Sequence, residues 1–129
     1  MIAFKDYLSI CSSAPSEILS IMALNNIDRY LQPNLEKIRN NVALFSAFAD
    51  EHKIIKSFVP PQAGSTSFVE LDISETSLTY SDRMVAEAGI MTVPAEMFEY
   101  PGKYIRVGFG RNDFSEVLEV WSSYVDTLK

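Results

Sequence analysis

The segment that decides the fold is Tyr104-Ile105-Arg106-Val107-Gly108-Phe109. Side chains of a β-strand alternate between two faces, so Ile105, Val107 and Phe109 share one face while Arg106 lies on the other. The three apolar side chains predict burial in a core. The segment therefore predicts a strand that carries an arginine on the face opposite its core side chains.

Two more strands are predicted before this segment. Residues 66–73 alternate in polarity, and one side is expected to hold Ser67, Val69, Leu71 and Ile73. Residues 90–93 form a short apolar run that Pro94 ends. A helix is predicted over residues 81–88, and Gly89 is suited to end it because glycine readily adopts a left-handed cap.

The N-terminal part of the chain predicts two helices. Ser12 to Glu17 resembles a helix start, because the missing N–H of Pro15 needs no partner in a first turn. Pro33 predicts a kink or break, followed by a second helix from Asn34 to Glu51. The apolar stripe of this helix comprises Leu31, Leu35, Ile38, Val42, Phe45 and Ala49. Its polar face comprises Glu36, Lys37, Arg39, Asn40 and Asn41. We interpret the stripe as core packing, with a surface for a partner helix as the alternative.

A last helix is predicted after residue 112, because Asp113 and Glu116 approximate a capping box. Its buried face is expected to comprise Phe114, Val117, Leu118, Trp121, Val125 and Leu128. The elements together predict the α+β class: a small β-sheet packed against helices, with a long N-terminal helical segment kinked near Pro33.

Composition narrows the class of protein. The chain has 129 residues, of which 47% are hydrophobic and 22% charged, as in an ordinary globular domain. Its net charge of −6 disfavours nucleic-acid binding. No signal peptide or membrane-length apolar run is visible, so we expect a cytoplasmic protein without a membrane partner.

Few side chains suggest chemistry. His52 is the single histidine, which excludes a two-histidine metal site, and we expect it to be exposed at a helix end. Cys11 is the single cysteine and is interpreted as a small buried hydrophobic residue. Glu96 and Glu99 are interpreted as solvated loop charges. No catalytic residue and no metal ligand is therefore predicted.

Arg106 stands out because a guanidinium within an apolar strand needs an anionic or carbonyl partner. Its planar fork suits bidentate pairing with a carboxylate. The partner is either an internal acid of this chain or an external ligand, and the sequence leaves both open. Arg111, at the strand end beside Asp113, is expected to be exposed.

Four segments in order resemble the C-terminal small domain of class I/II (fold type I) pyridoxal-phosphate-dependent aminotransferases: residues 5–17, 63–69, 87–94 and 104–110. The resemblance implies that Arg106 pairs with the α-carboxylate of the substrate, an amino acid or a 2-oxo acid. It also implies a division into residues 1–31, a residual linker and first helix from the large-domain junction, and residues 32–129, the small domain.

The resemblance further implies that pyridoxal 5′-phosphate belongs to the full-length enzyme, whose large domain supplies the Schiff-base lysine. Neither Lys5 nor Lys103 matches that lysine. We therefore expect no cofactor on this chain alone, no transaminase activity, and self-association through the first helix or a homodimer in the full enzyme. The alternatives are a freestanding α+β amino-acid-binding or regulatory module, and an interaction domain in which Arg106 forms an internal ion pair.

Overall fold

The computed structural model describes Leu8 and residues 13–128, so the expectations for Lys5 and Cys11 lie outside the described residues. The chain divides into two compact units, Met1–Asn34 and Leu35–Lys129. No helix in the described part of the chain is long and apolar enough to cross a membrane.

The first two helices are separated at Asn26. Helix α1 spans Ala14–Asn25 and has its proline in the first turn, as predicted. The side chain of Asn26 donates to the carbonyl of Met22 at 2.9 Å, which satisfies a carbonyl that the helix end leaves unpaired. Helix α2 spans Ile27–Glu51 and contains Pro33 in its interior, so it begins earlier than the predicted Asn34.

Four strands form one antiparallel sheet: β1 (Ile55–Phe58), β2 (Thr66–Leu71), β3 (Val93–Pro94) and β4 (Tyr104–Gly108). Their order in the sheet is β1-β2-β4-β3. The predicted α+β class is confirmed, but strand β1 was missed. It has four residues, and its two middle residues are both exposed, so it shows no clear alternation.

Two more helices complete the fold. Helix α3 spans Ser77–Ala88 and begins before the predicted Ser81, because the side chain of Thr76 accepts the N–H of Thr79 at 3.1 Å. It ends at Gly89 in the left-handed conformation, as predicted. Helix α4 spans Phe114–Thr127.

The predicted capping box of helix α4 is wrong. Asp113 occupies the N-cap position but makes no side-chain cap hydrogen bond. Its carboxylate instead accepts two hydrogen bonds from the guanidinium of Arg111, at 2.8 and 2.6 Å.

The core of the second unit lies between one face of the sheet and the side chains of helices α2, α3 and α4. Phe45, Val69, Ile105 and Phe109 are fully buried in it, which confirms the buried face predicted for β4. In the same core, the indole N–H of Trp121 donates to the hydroxyl of Tyr80 at 3.0 Å. Burial raises the pKa of Tyr80 to about 12, so this phenol stays neutral and structural.

Asn41 joins helix α2 to the end of β4. The sequence placed it on a polar face, but the side chain is buried. Its amide donates to the carbonyls of Phe109 at 2.9 Å and Arg111 at 2.8 Å. These carbonyls follow β4 directly, so the asparagine fixes the backbone at the point where the strand leaves the sheet.

We expect Asn41→Ala to lower the free energy of unfolding by about 1–3 kcal/mol, because the buried carbonyl of Phe109 and the partly buried carbonyl of Arg111 lose their donor. Denaturant unfolding measures this change. Asn40→Ala alters an exposed neighbour on the same helix and should stay within about 0.5 kcal/mol of the parent chain. Equal effects from the two substitutions would contradict the role of Asn41.

Candidate functional site: the open face of the central sheet

Strand β4 places Arg106 on the face of the sheet opposite the core. The strand is paired on both sides, and Arg106 lies across from Phe68 of β2 and Val93 of β3. Ile105 and Val107 are buried, whereas Arg106 is exposed. The expected alternation is confirmed, and it leaves the guanidinium accessible.

The guanidinium of Arg106 lies over the ring of Phe98, with 5.4 Å between its central carbon and the ring centroid. This distance is within the range of a cation–π contact. Within residues 13–128, Arg106 forms no ion pair and no side-chain hydrogen bond. Its N–H donors therefore have no acceptor in the described part of the chain.

Two acids, Glu70 and Asp113, are paired with cations other than Arg106. Glu70, on the same sheet face as Arg106, binds the ammonium of Lys56 at 2.7 Å. The hydrogen bond from Lys56 lowers the pKa of Glu70, which keeps this carboxylate ionised and paired. Arg111 is exposed, as expected, and pairs with Asp113.

A cavity of about 290 Å³ lies along β4, and Arg106 and Arg111 are both among its lining residues. Thr66 and Thr92 add hydroxyl groups, and Trp121 is among its apolar lining. Because Arg111 is paired with Asp113, Arg106 is the guanidinium that this cavity offers to a small molecule with a carboxylate.

A larger cavity lies elsewhere. It has a volume of about 630 Å³ and is lined by Glu51, Asp72 and Glu75 together with Lys53 and Arg83. Arg83 is paired with Glu75 there. Because carboxylates outnumber cations and the arginine is engaged, this cavity is poorly suited to an anionic ligand.

Two other sequence expectations are wrong. His52 is half-buried rather than exposed, since its ring packs against Phe48 at 4.3 Å and its Nε2 lies 3.1 Å from the hydroxyl of Ser122. Glu96 is not a purely solvated charge. Its carboxylate accepts the hydroxyl of Ser77 at 2.6 Å and the backbone N–H of Leu78 at 3.3 Å.

The sequence also missed Phe98. It lies at the end of a 3₁₀ helix, Ala95–Phe98, that follows β3. No spacing rule indicates that this short turn carries an aromatic ring over β4.

Within residues 13–128, no group of three or more histidine, cysteine or carboxylate side chains could hold a metal ion.

Comparison with solved structures shows what this fold is similar to. A PLP-dependent aminotransferase from Streptococcus suis 89-1591 matches with a TM-score of 0.85 and 24% identity, over 98% of this chain and 34% of that one. An aminotransferase from Mycobacterium tuberculosis matches with a TM-score of 0.84 and 19% identity, over 97% of this chain and 34% of that one. The PLP-dependent cyclase OrfR matches with a TM-score of 0.81 and 18% identity, over 98% and 35%.

These matches confirm that the chain has the fold of one segment of PLP-dependent aminotransferases. The chain spans about a third of the length of these structures. No protein-family model matches the chain. No curated protein matches it either.

Two described lysines and one helix N-terminus do not fit pyridoxal phosphate. A Schiff-base lysine needs a neutral amine, but the hydrogen bond from Lys56 to Glu70 raises the pKa of Lys56. Lys103 donates to the carbonyl of Ile73. A helix N-terminus is a common site for a phosphate, but that of helix α3 is occupied by the carboxylate of Glu96.

The contact of Glu96 with helix α3 predicts a pH dependence. Partial burial raises the pKa of Glu96, but the hydrogen bonds from Ser77 and the backbone outweigh it and hold the pKa below 4.5. A group with a lowered folded pKa stabilises the protein above its unfolded pKa, and this stabilisation disappears as the pH falls through the folded value. Thermal unfolding should therefore show Glu96→Gln less stable than the parent at neutral pH, with the difference shrinking below pH 4.5.

Glu99→Gln is the matched control, since it changes a neighbouring exposed carboxylate. A stability difference for Glu96→Gln that stays constant from neutral pH to strongly acidic pH would contradict the cap.

Proposed function

We propose that this chain is the small domain of a PLP-dependent aminotransferase, and that Arg106 binds the carboxylate of its amino-acid or 2-oxo-acid substrate. The observation that carries the proposal is the exposed guanidinium of Arg106, which has no acid partner within residues 13–128. The fold likeness to aminotransferases supports it.

The chemistry of this site is binding and orientation. A guanidinium can hold both oxygens of a carboxylate through two parallel hydrogen bonds, which fixes the direction of the rest of the ligand. Orientation of this kind lowers the entropic barrier to reaction. Lys56 and Lys103 are engaged with Glu70 and the carbonyl of Ile73, and we propose that the cofactor and its lysine come from outside the described residues. This chain alone would bind substrate carboxylates weakly and catalyse nothing.

Helix α1 supports the presence of a further domain in the working enzyme. Its large apolar side chains are all exposed, among them Ile18, Leu19, Ile21, Met22 and Leu24. They surround the helix instead of forming one stripe, and a helix that is apolar on all sides is normally buried. We propose that a large domain covers it, with the division at residues 1–31 and 32–129, in a cytoplasmic homodimeric enzyme.

Titration with pyruvate tests the carboxylate site, with arginine side-chain signals followed by ¹⁵N NMR. We expect the Nε signal of Arg106 to shift with a Kd weaker than about 10 mM, because one exposed ion pair contributes about 1 kcal/mol or less. Arg106→Ala should abolish the associated shifts in neighbouring residues. Arg111→Ala, which removes a guanidinium already paired with Asp113, is the control and should leave the Arg106 response intact.

The same titration separates the alternatives. A Kd below about 0.1 mM that is lost in Arg106→Ala would favour a freestanding amino-acid-binding or regulatory module. The absence of any Arg106 response would contradict the carboxylate role and favour an interaction domain.

Sedimentation velocity tests the exposed helix. We expect this chain to self-associate with rising concentration, because the exposed side chains of α1 gain free energy when buried. Leu19→Glu should shift the distribution towards monomer, whereas Ser20→Glu, an adjacent polar position, should have a smaller effect. A monomer at every concentration would count against this surface.

A further inference from the structure

Four aromatic side chains form a connected aromatic cluster on the open face of the sheet: Phe68, Phe98, Tyr100 and Tyr104. Phe68 is central, with ring centroids 5.4 Å from Phe98, 5.7 Å from Tyr100 and 6.2 Å from Tyr104. Phe68 is also the cross-strand neighbour of Arg106. The cluster therefore lies directly beside the guanidinium.

The contacts of the 3₁₀ helix hold Phe98 in place within this cluster. Ala95, at the start of the 3₁₀ helix, is fully buried. Glu96 binds Ser77 and the N–H of Leu78, which attaches the turn to helix α3. After Phe98 the chain reverses at Glu99, which adopts a left-handed conformation with φ of 52°. The ring of Phe98 is thus carried by a short turn that is anchored to helix α3 at its start.

The way Arg106 is held differs from the way Arg83 and Arg111 are held. Those two guanidinium groups use their N–H donors to bind Glu75 and Asp113. A contact with an aromatic ring is electrostatic and needs no hydrogen-bond acceptor, so it leaves the N–H donors unused. Arg106 is therefore restrained by Phe98 while its donors stay available.

From this geometry we infer that Phe98 is a positioning residue that holds the Arg106 guanidinium for an external carboxylate. The inference rests on the carboxylate role proposed above. Because Phe98 already restrains the Arg106 side chain in the free chain, less conformational entropy is lost when a carboxylate binds. A smaller entropy loss gives a tighter complex. An acid in the place of Phe98 would also restrain the arginine, but it would occupy the donors that the ligand needs.

The test compares Phe98→Leu, Phe98→Tyr and Tyr100→Leu in this chain. Tyr100 is the matched control because it is 51% exposed against 46% for Phe98, also packs on Phe68, and has no guanidinium over its ring. The first readout needs no ligand: the ring-current shift and ¹⁵N relaxation of the Arg106 side chain. The second is the Kd for pyruvate, from the same signals.

Phe98→Leu should remove the ring-current shift, increase the motion of the Arg106 side chain and weaken pyruvate binding about two- to fivefold. Phe98→Tyr should restore all three values, since it keeps the ring. Tyr100→Leu should change none of them by a comparable amount. A loss of shift that Phe98→Tyr fails to restore would overturn the inference.

Failure of this inference is distinguishable from failure of the proposed function. If pyruvate binds and Arg106→Ala abolishes binding, but Phe98→Leu binds with the parent Kd, the positioning role is overturned and the carboxylate site remains. If the parent chain shows no response to pyruvate at Arg106, the carboxylate role and the positioning role both fall.

Discussion

The pairing of β4 on both edges is the constraint on which the rest of the site depends. Hydrogen bonding to β2 and β3 fixes the strand in register, with Arg106 across from Phe68 and Val93. Once Ile105 and Val107 are buried, alternation allows Arg106 no other direction than the open face. Asn41 secures the end of the strand through the carbonyls of Phe109 and Arg111. The direction of the Arg106 side chain therefore follows from the core, and the turn that carries Phe98 adds the ring beneath the guanidinium.

The charges around β4 leave the Arg106 guanidinium without an ion pair in the described residues. In the described part of the chain, two acids near β4 are paired with other cations: Glu70 with Lys56, and Asp113 with Arg111. The fold likeness extends to aminotransferases and to a PLP-dependent cyclase, so the fold by itself does not decide a single reaction.

Local patterns predicted the features that local physics controls. Alternation in residues 104–109 predicted the faces of β4, and Gly89 predicted the end of helix α3. Two of the errors involve partners distant in sequence. Asn41 was placed on a polar face because its acceptors, the carbonyls of Phe109 and Arg111, come from the other end of the chain. Glu96 was treated as solvated because helix periodicity does not show that it reaches Ser77.

Arg106 was found by its residue type within an apolar strand, but its surroundings were beyond sequence analysis. Whether an acid lies near it depends on side-chain geometry across strands and turns. Phe98 gave no signal, because the turn that carries it is fixed by contacts with helix α3.

The central claim is that the guanidinium of Arg106 takes an external carboxylate, and arginine-selective modification tests it directly. The chain would be treated with phenylglyoxal, with and without pyruvate, and the modified peptides quantified over time. We predict that pyruvate slows modification of Arg106 while the exposed helical residues Arg29 and Arg39 keep their rates. Equal slowing at all three arginines, or none at Arg106, would contradict a carboxylate site on β4.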